Sequence, residues 1–529
     1  MKIKKFGWLL AVFSILMIVT ACSGGSSDSS SEGDNTSEGT DTAVSTDGEL
    51  HYASNVQPPT LDPLMSNAIV TREVASVIYE SLVAFNENFE PVPMLAESVD
   101  VSEDGKTYTF NLRHGVMFHN GEEMKAEDVV ASMERWKEKS SSARAVLTEP
   151  QFAEVDEYTV TMTLAEPTTL ALGAIANTSH LAAIMPKEIV ESAPEAGVEE
   201  FIGTGPFKFV EWKQDQYLHF TRFDEYAALD TPASGLSGKK EALVKDVYFD
   251  IVIDPSTQLS GLQTGEYDIA GGIIQDDLAQ LEANPDLEYI TPFDANYTLL
   301  FNRKEGAFQS KELRQAVAYA LDLDALAAVA AVDNYEITPS QLPKLNAVWA
   351  TDAGAEFHNQ KDLEKAKQLV EQSGYNGETL NILTTRDYPQ MYNEAVYVKE
   401  QLAKVGINVE LLVYDWATAL SEVRNSPQDW NIFTTSFPST PSPVELLYYA
   451  ESYFDGAETD TQKELLTKIK SAPTTEEAKM YWEELQTHSI EDVKLITTFA
   501  ANKISAYTTD VKGYKYFEVP LFYNVSVSE

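Results

Sequence analysis

The run LNILTTRDYPQMYNEAVYVKEQLAKVGINVELLV, residues 380–413, decides the fold. Leu380 to Thr385 is predicted as a strand, about Tyr392 to Val405 as a helix closed by Gly406, and Ile407 to Val413 as a second strand. That is one βαβ unit, the building block of a parallel sheet. Working outward, Ser310 is placed to cap a helix whose inner face is Leu313, Val317 and Leu321, with Ala316 and Ala320 beside it. Leu363, Ala366, Leu369 and Val370 mark a further helix ended by Gly374. The strand candidate Val247 to Ile253 leads through Asp254-Pro255-Ser256 into an amphipathic segment that contains Leu259 and Leu262 and stops at Gly265. Further back, Tyr108, Phe110 and Leu112 alternate with polar residues after the turn at Asp104-Gly105, as a half-buried strand does.

The N-terminal end reads differently. Lys2, Lys4 and Lys5 precede an uncharged apolar run from Phe6 to Val19, and Thr20 and Ala21 stand directly before Cys22. That order is a secretory signal, residues 1–21. Its apolar run falls short of the ~20 residues a membrane-spanning helix needs. The stretch Ile18-Val19-Thr20-Ala21-Cys22-Ser23 resembles the bacterial lipobox, which implies cleavage before Cys22 and acylation of that residue. The alternative is a buried or disulfide-forming cysteine, but Cys22 is the only cysteine in the chain, so no internal disulfide can form. Residues 22–48 are almost wholly small, polar or acidic after the cysteine, and are expected to be a disordered tether. No later segment has the uninterrupted apolar length of a transmembrane helix.

The chain carries 83 acidic and 38 basic residues, a formal charge of −45. Such a field repels nucleic acid, so no nucleic-acid role is expected. The remaining body of roughly 480 residues exceeds one ordinary core and suffices for two or three.

Several stretches, met in order along the body, resemble the family 5 extracellular solute-binding proteins, the peptide and nickel receptors of ATP-driven importers. They are Leu61-Asp62-Pro63, Val77-Ile78-Tyr79-Glu80-Ser81-Leu82-Val83, and Pro93-Met94-Leu95-Ala96-Glu97-Ser98. The most specific is residues 104–121, DGKTYTFNLRHGVMFHNG, followed by Ala126-Glu127-Asp128-Val129. Gly203-Thr204-Gly205-Pro206-Phe207 and residues 313–321, LRQAVAYAL, are similar to later motifs of the family. The resemblance implies an α/β, two-lobed periplasmic-binding-protein-like fold of type II with an extra domain and a ligand cleft between the lobes. Lobe I is expected to comprise 49–80, 204–293 and 499–529, the extra domain 81–203, and lobe II 294–498. The implied protein is a monomer on the outer face of the cytoplasmic membrane, held by its lipid, that delivers a solute, oligopeptide first among the classes, to ABC permease subunits. Glycans, opines and nickel chelates are the non-peptide alternatives.

Ligand contacts are expected beyond the carboxyl ends of the strands. Arg386 follows the strand 380–385, where its planar fork suits a carboxylate; on residue type alone, pairing with Asp387 or another surface acid is the favoured reading. Related peptide receptors have an Arg at the matching place that looks to bind the ligand's carboxylate, and Tyr388 follows as a stacking or hydroxyl contact. The second crevice segment is Ser436 to Pro443, after a strand predicted over Trp430 to Thr435. Peptide-binding relatives read Gly-Trp there, then two residues, then an Asp that pairs with the α-ammonium. Here Phe437 stands in the Trp place and Thr440 near the Asp place, with Ser439 between, and a neutral hydroxyl cannot supply that charge pairing. Tyr297, in the strand entering the second lobe, lines either the cleft or the core.

Catalytic and metal chemistry find little footing. The seven histidines form no HExxH or paired His/Cys cluster, and His114 and His119 fall inside the resembling motif, so no metal is expected. Asp104-Gly105-Lys106-Thr107 mimics the end of a phosphate-binding loop, but Asp100 occupies the place of its first Gly. No GxSxG elbow is present, and a secreted hydrolase on the same scaffold is the remaining alternative. No cofactor is expected.

Overall fold

The computed structural model describes residues 47–332, 334–450, 453–456 and 459–528. The proposed signal, Cys22 and nearly all of the tether lie outside them. Residues 380–413 fold as the βαβ unit: strands Leu380–Thr385 and Val409–Tyr414 run parallel, and helix Pro389–Lys404 crosses between them. The helix starts at Pro389 rather than near Tyr392, because a proline in the first turn gives up only an N–H that has no helical partner. It buries Met391, Ala395, Val398 and Leu402 in the core of this half of the molecule.

The unit sits at one edge of a six-stranded sheet ordered Tyr335–Glu336, Leu495–Asn502, Phe293–Phe301, Ile432–Phe437, Leu380–Thr385, Val409–Tyr414. Helix Lys311–Ala320 is capped as its sequence predicts, Ser310 Oγ accepting from Leu313 N at 3.3 Å, and it buries Leu313, Ala316, Val317 and Ala320. A seven-stranded sheet makes the other body, in the order Leu287–Ile290, Ile504–Thr508, Ile269–Ile273, Glu49–Ser54, Asp246–Ile251, Tyr217–Arg222, Phe207–Lys213. Its centre is parallel, Glu49–Ser54 running alongside both Asp246–Ile251 and Ile269–Ile273. Helix Pro255–Thr264 follows, capped by Asp254 and ended by Gly265 at φ 74°. A four-stranded antiparallel sheet, Ala96–Val101, Thr107–Leu112, Thr159–Thr163 and Gln151–Asp156, forms a third layer. In its strand Thr107–Leu112 the side chains of Tyr108, Phe110 and Leu112 are buried. The fold is thus α/β and two-lobed with an additional sheet.

The sequence motifs near 80, 119 and 204 meet in space. Glu80, 3 % exposed, accepts from Lys240 Nζ and Tyr226 OH at 2.9 Å each and from Thr204 Oγ1 at 3.2 Å. Gly205 N donates to Ile78 O at 2.9 Å, His119 N to Gly203 O at 3.0 Å, and the His119 ring bonds Gly205 O at 2.9 Å. A Cβ on Gly203 would lie 2.2 Å from Ile78 O, and one on Gly205 2.6 Å from Val77 O, so the close approach of these backbones requires glycine. Burial pushes the His119 imidazole down to about 4, keeping it neutral at its post. These motifs therefore hold one lobe together. Among the described residues, no helix is long and apolar enough to cross a membrane.

Candidate functional site

The two large sheets are joined by two short crossings. Leu287–Ile290 belongs to the seven-stranded sheet and Phe293–Phe301 to the six-stranded one, with Thr291 and Pro292 between. The chain returns from Leu495–Asn502 through Lys503 to Ile504–Thr508. Lys503 N donates to Pro292 O at 2.9 Å, tying the crossings together. A pair of short linkers between rigid sheets is hinge geometry.

A cavity of about 240 Å³ opens on this hinge. Ile69 and Arg72 of helix Ile69–Ile78, with Tyr516 and Glu518, line it from one body. Leu345, Pro438 and Ser439 line it from the other, and Thr291 to Asp294 and Lys503 form its floor. Two larger grooves, of about 570 and 830 Å³, draw on residues 127–195 and 86–238 alone. Neither includes a residue of the six-stranded body, so neither is lined from both bodies.

The cavity wall carries both signs of charge. Arg72 Nε donates to Asn67 O at 3.2 Å, whereas its two terminal nitrogens have no hydrogen-bond partner among the described residues. Burial lowers the Arg72 pKa, with Glu518 and Tyr516 opposing. Glu518 holds a left-handed φ of 58°, uncommon for a residue with a side chain, and accepts from Thr178 Oγ1 at 3.2 Å. Burial pushes its carboxyl up to about 7 against the pull of Arg72 and the Thr178 bond. Half-buried Asp294 is raised by burial and opposed by Lys503, and its carboxylate has no hydrogen-bond partner among the described residues. Lys503 Nζ lies 3.5 Å from Glu73 Oε1 and 4.3 Å from the centre of the Tyr516 ring. The buried Ser439 Oγ has no hydrogen-bond partner among the described residues. Among the described residues, no group of three or more His, Cys, Asp and Glu side chains is arranged to hold a metal ion.

The comparisons with known proteins agree on what this frame is. The family model for bacterial extracellular solute-binding proteins, family 5 middle, matches residues 90–457. The chain belongs to that family. Among its relatives, the probable peptide ABC transporter periplasmic-binding protein y4tO of Sinorhizobium fredii NGR234 is 29 % identical over 487 residues, covering 88 % of this chain and 91 % of the relative. The glutathione-binding protein GsiB of Pectobacterium atrosepticum is 28 % identical over 373 residues, 69 % of each. In fold, the oligopeptide-binding protein AppA of Bacillus subtilis, solved in complex with a nonapeptide, superposes with a TM-score of 0.75 at 21 % identity, covering 92 % of this chain and 100 % of that one. The family consists of solute-binding transport proteins working outside the cytoplasm.

Of the contacts expected from the sequence of this solute-binding protein, Ser439 lines the cavity. Arg386 is exposed, its guanidinium carbon lies over the Tyr392 ring 3.7 Å from its centre, and Nη2 donates to Tyr392 OH at 2.5 Å. Its neighbour Asp387 instead accepts from Trp416 N at 2.7 Å. Tyr388 is 43 % exposed and meets Trp416 edge-on at 5.3 Å. Burial raises its hydroxyl pKa, with Asp387 and then Asp294 adding to the shift. Phe437 is buried because its strand runs two residues past the predicted Thr435, to Phe437, where it pairs with Asn296 and packs on Tyr448 at 4.9 Å. Thr440 Oγ1 donates to Ser442 O at 3.1 Å, and Thr440 O accepts from Asn346. Tyr297 is 3 % exposed and stacks on Phe499 at 4.7 Å, a core position.

Arg72, Asp294, Lys503 and Glu518 escaped the sequence reading. Asp294 left one signal, a lone acid at the head of an apolar strand. Arg72 lies in a helix whose Val70, Val74, Val77 and Ile78 are buried, and nothing local distinguishes it from a solvated arginine.

Proposed function

We propose that this protein captures a solute, with peptides the first class, by closing its two bodies about the hinge at Thr291-Pro292 and Lys503, and passes it to ABC permease subunits. The observation that carries this reading is the cavity lined from both bodies and floored by both hinge crossings. Closure requires a ligand that makes more contacts in the closed state than in the open one, because equal binding to both shifts nothing. Names of relatives that bind peptides and glutathione support the peptide class, while the neutral Thr440 leaves opines, glycans and nickel chelates as the second reading. In this proposal lobe I takes 49–80, 204–293 and the C-terminal segment, the extra domain 81–203, and lobe II 294 to about the return crossing. Arg386 and Tyr388 stand ready for a ligand long enough to reach past the floor, and Ser439 is a direct contact. Native mass spectrometry of the purified protein is expected to show a bound solute that leaves on denaturation. A cognate solute at ~100 times its Kd adds ~2.7 kcal/mol of stability, read as a rise in Tm. Turnover of peptides by the pure protein would instead establish the hydrolase.

The same proposal places the protein on the membrane by acylation of Cys22, which keeps a receptor beside its importer. Replacing Cys22 with Ser is expected to move the protein from the membrane pellet to the medium. Retention of the Ser variant in the pellet would refute the anchor.

A further inference from the structure

The hinge cavity holds charges that the protein leaves incompletely matched. A guanidinium stays protonated whatever its surroundings, so Arg72, half-buried and with neither terminal nitrogen bonded to a described residue, calls for an anion from elsewhere. Glu518 acts on it through its field yet stops short of ion-pair distance. Asp294 presents the complementary deficit, a carboxylate at the same cavity with no hydrogen bond to any described residue. Lys503, the cation that eases its burial, is drawn to Glu73 at 3.5 Å and to the Tyr516 ring. Leaving such groups without partners is costly, and a bound molecule of matching charge removes that cost. Ser439 Oγ, without a partner among the described residues, adds a third unmet polar group. Arg72 and Glu518 belong to one body, whereas Asp294 heads a strand of the other. A ligand that satisfies both signs at once therefore rewards closure.

Size narrows the class. The cavity of about 240 Å³ is smaller than the ~300–1,000 Å³ of sites for drug-sized ligands. A cube of that volume is ~6 Å on a side, about two residues of extended chain at ~3.3 Å each, whereas nine residues span ~30 Å. Resting on the receptor reading above, we propose that the cavity recognises an amphoteric solute of dipeptide size or less, with Arg72 taking its carboxylate, Asp294 its ammonium and Ser439 Oγ a third contact.

The test is calorimetric titration of the purified full chain, stripped of any carried-over solute, with Ala-Ala, N-acetyl-Ala-Ala, Ala-Ala-amide and penta-alanine. Ala-Ala is expected to bind at least ten-fold more tightly than either blocked form or the pentapeptide. Arg72→Gln is expected to erase the discrimination against the amide and leave that against the acetyl form; Asp294→Asn does the converse. The ligand edits need no mutation, so the proposal stays testable if a variant fails to fold. It is overturned if blocked and free forms bind alike, if penta-alanine binds better than Ala-Ala, or if Arg386→Ala rather than Arg72→Gln erases the discrimination against the amide. Where no alanine peptide binds, the mass of the solute carried from the cell decides. An amphoteric species of dipeptide size supports the proposal; a longer one, or one lacking either charge, overturns it and leaves the receptor intact. Absence of any bound solute overturns both.

Discussion

Lys240→Ala is expected to cost about 3–5 kcal/mol of stability, the range for removing one partner of a buried ion pair. The Lys240 and Glu80 side chains are 6 % and 1 % exposed and their charged atoms stand 2.9 Å apart, with the Tyr523 ring 5.2 Å from the ammonium. Alanine leaves the Glu80 carboxylate inside the lobe with only the hydroxyls of Tyr226 and Thr204 as partners. At ~2.1 cal/mol/K per residue, a body of ~480 residues melts with an entropy of ~1 kcal/mol/K, so Tm falls by ~3–5 °C. The double variant Glu80→Gln with Lys240→Met recovers most of the loss, because it removes both charges and keeps a group that accepts from Tyr226. A Tm within ~1 °C of wild type for Lys240→Ala alone would show that the pair contributes little. The same pair explains the motif at 77–83: its acid is the point on which Thr204 and Lys240 converge, so Glu80 is structural.

The fold was legible where periodicity is local. In residues 380–413 a strand, an amphipathic helix and a closing glycine each leave their own signal; the helix start was displaced by the tolerance of a first turn for Pro389, and the second strand begins at Val409 rather than Ile407. The end of strand Ile432–Phe437 was not legible, because its last residues are held by Asn296 and Tyr297 on a partner far away in sequence. The cavity was illegible for the same reason on a larger scale. Arg72, Asp294 and Glu518 are separated by hundreds of residues, and two hinge crossings, not any motif, bring them to one wall. The crevice rule pointed to strand ends of the six-stranded sheet and found Ser439; it could not point to a helix and a C-terminal segment of the opposite body.

Wild-type stability relative to a Glu394→Gln variant is expected to fall as pH rises from about 4 to about 8. Glu394, in helix Pro389–Lys404, is fully buried; one carboxyl oxygen accepts from Thr498 Oγ1 at 2.6 Å and the other has no partner among the described residues. Burial pushes its pKa up to about 8, only partly opposed by the Thr498 bond. In the unfolded chain the same carboxyl gives up its proton near ~4.3. Between those values the folded state holds the extra proton, so stability is full below the unfolded pKa and is lost as pH climbs to the folded one. At about 1.4 kcal/mol per unit, the loss is on the order of 5 kcal/mol. Buried acids such as Glu73 and Glu445, also raised by burial, slope the same way in both proteins, so the difference in Tm between wild type and variant isolates Glu394. A difference that stays constant across the range would mean that Glu394 is ionised throughout and that solvent or an unseen cation reaches it. The position gives the result a bearing on closure: Thr498 lies in strand Leu495–Asn502, which runs straight into the hinge at Lys503. Ionising Glu394 therefore loosens the body that must stay rigid for the cavity to close as one piece.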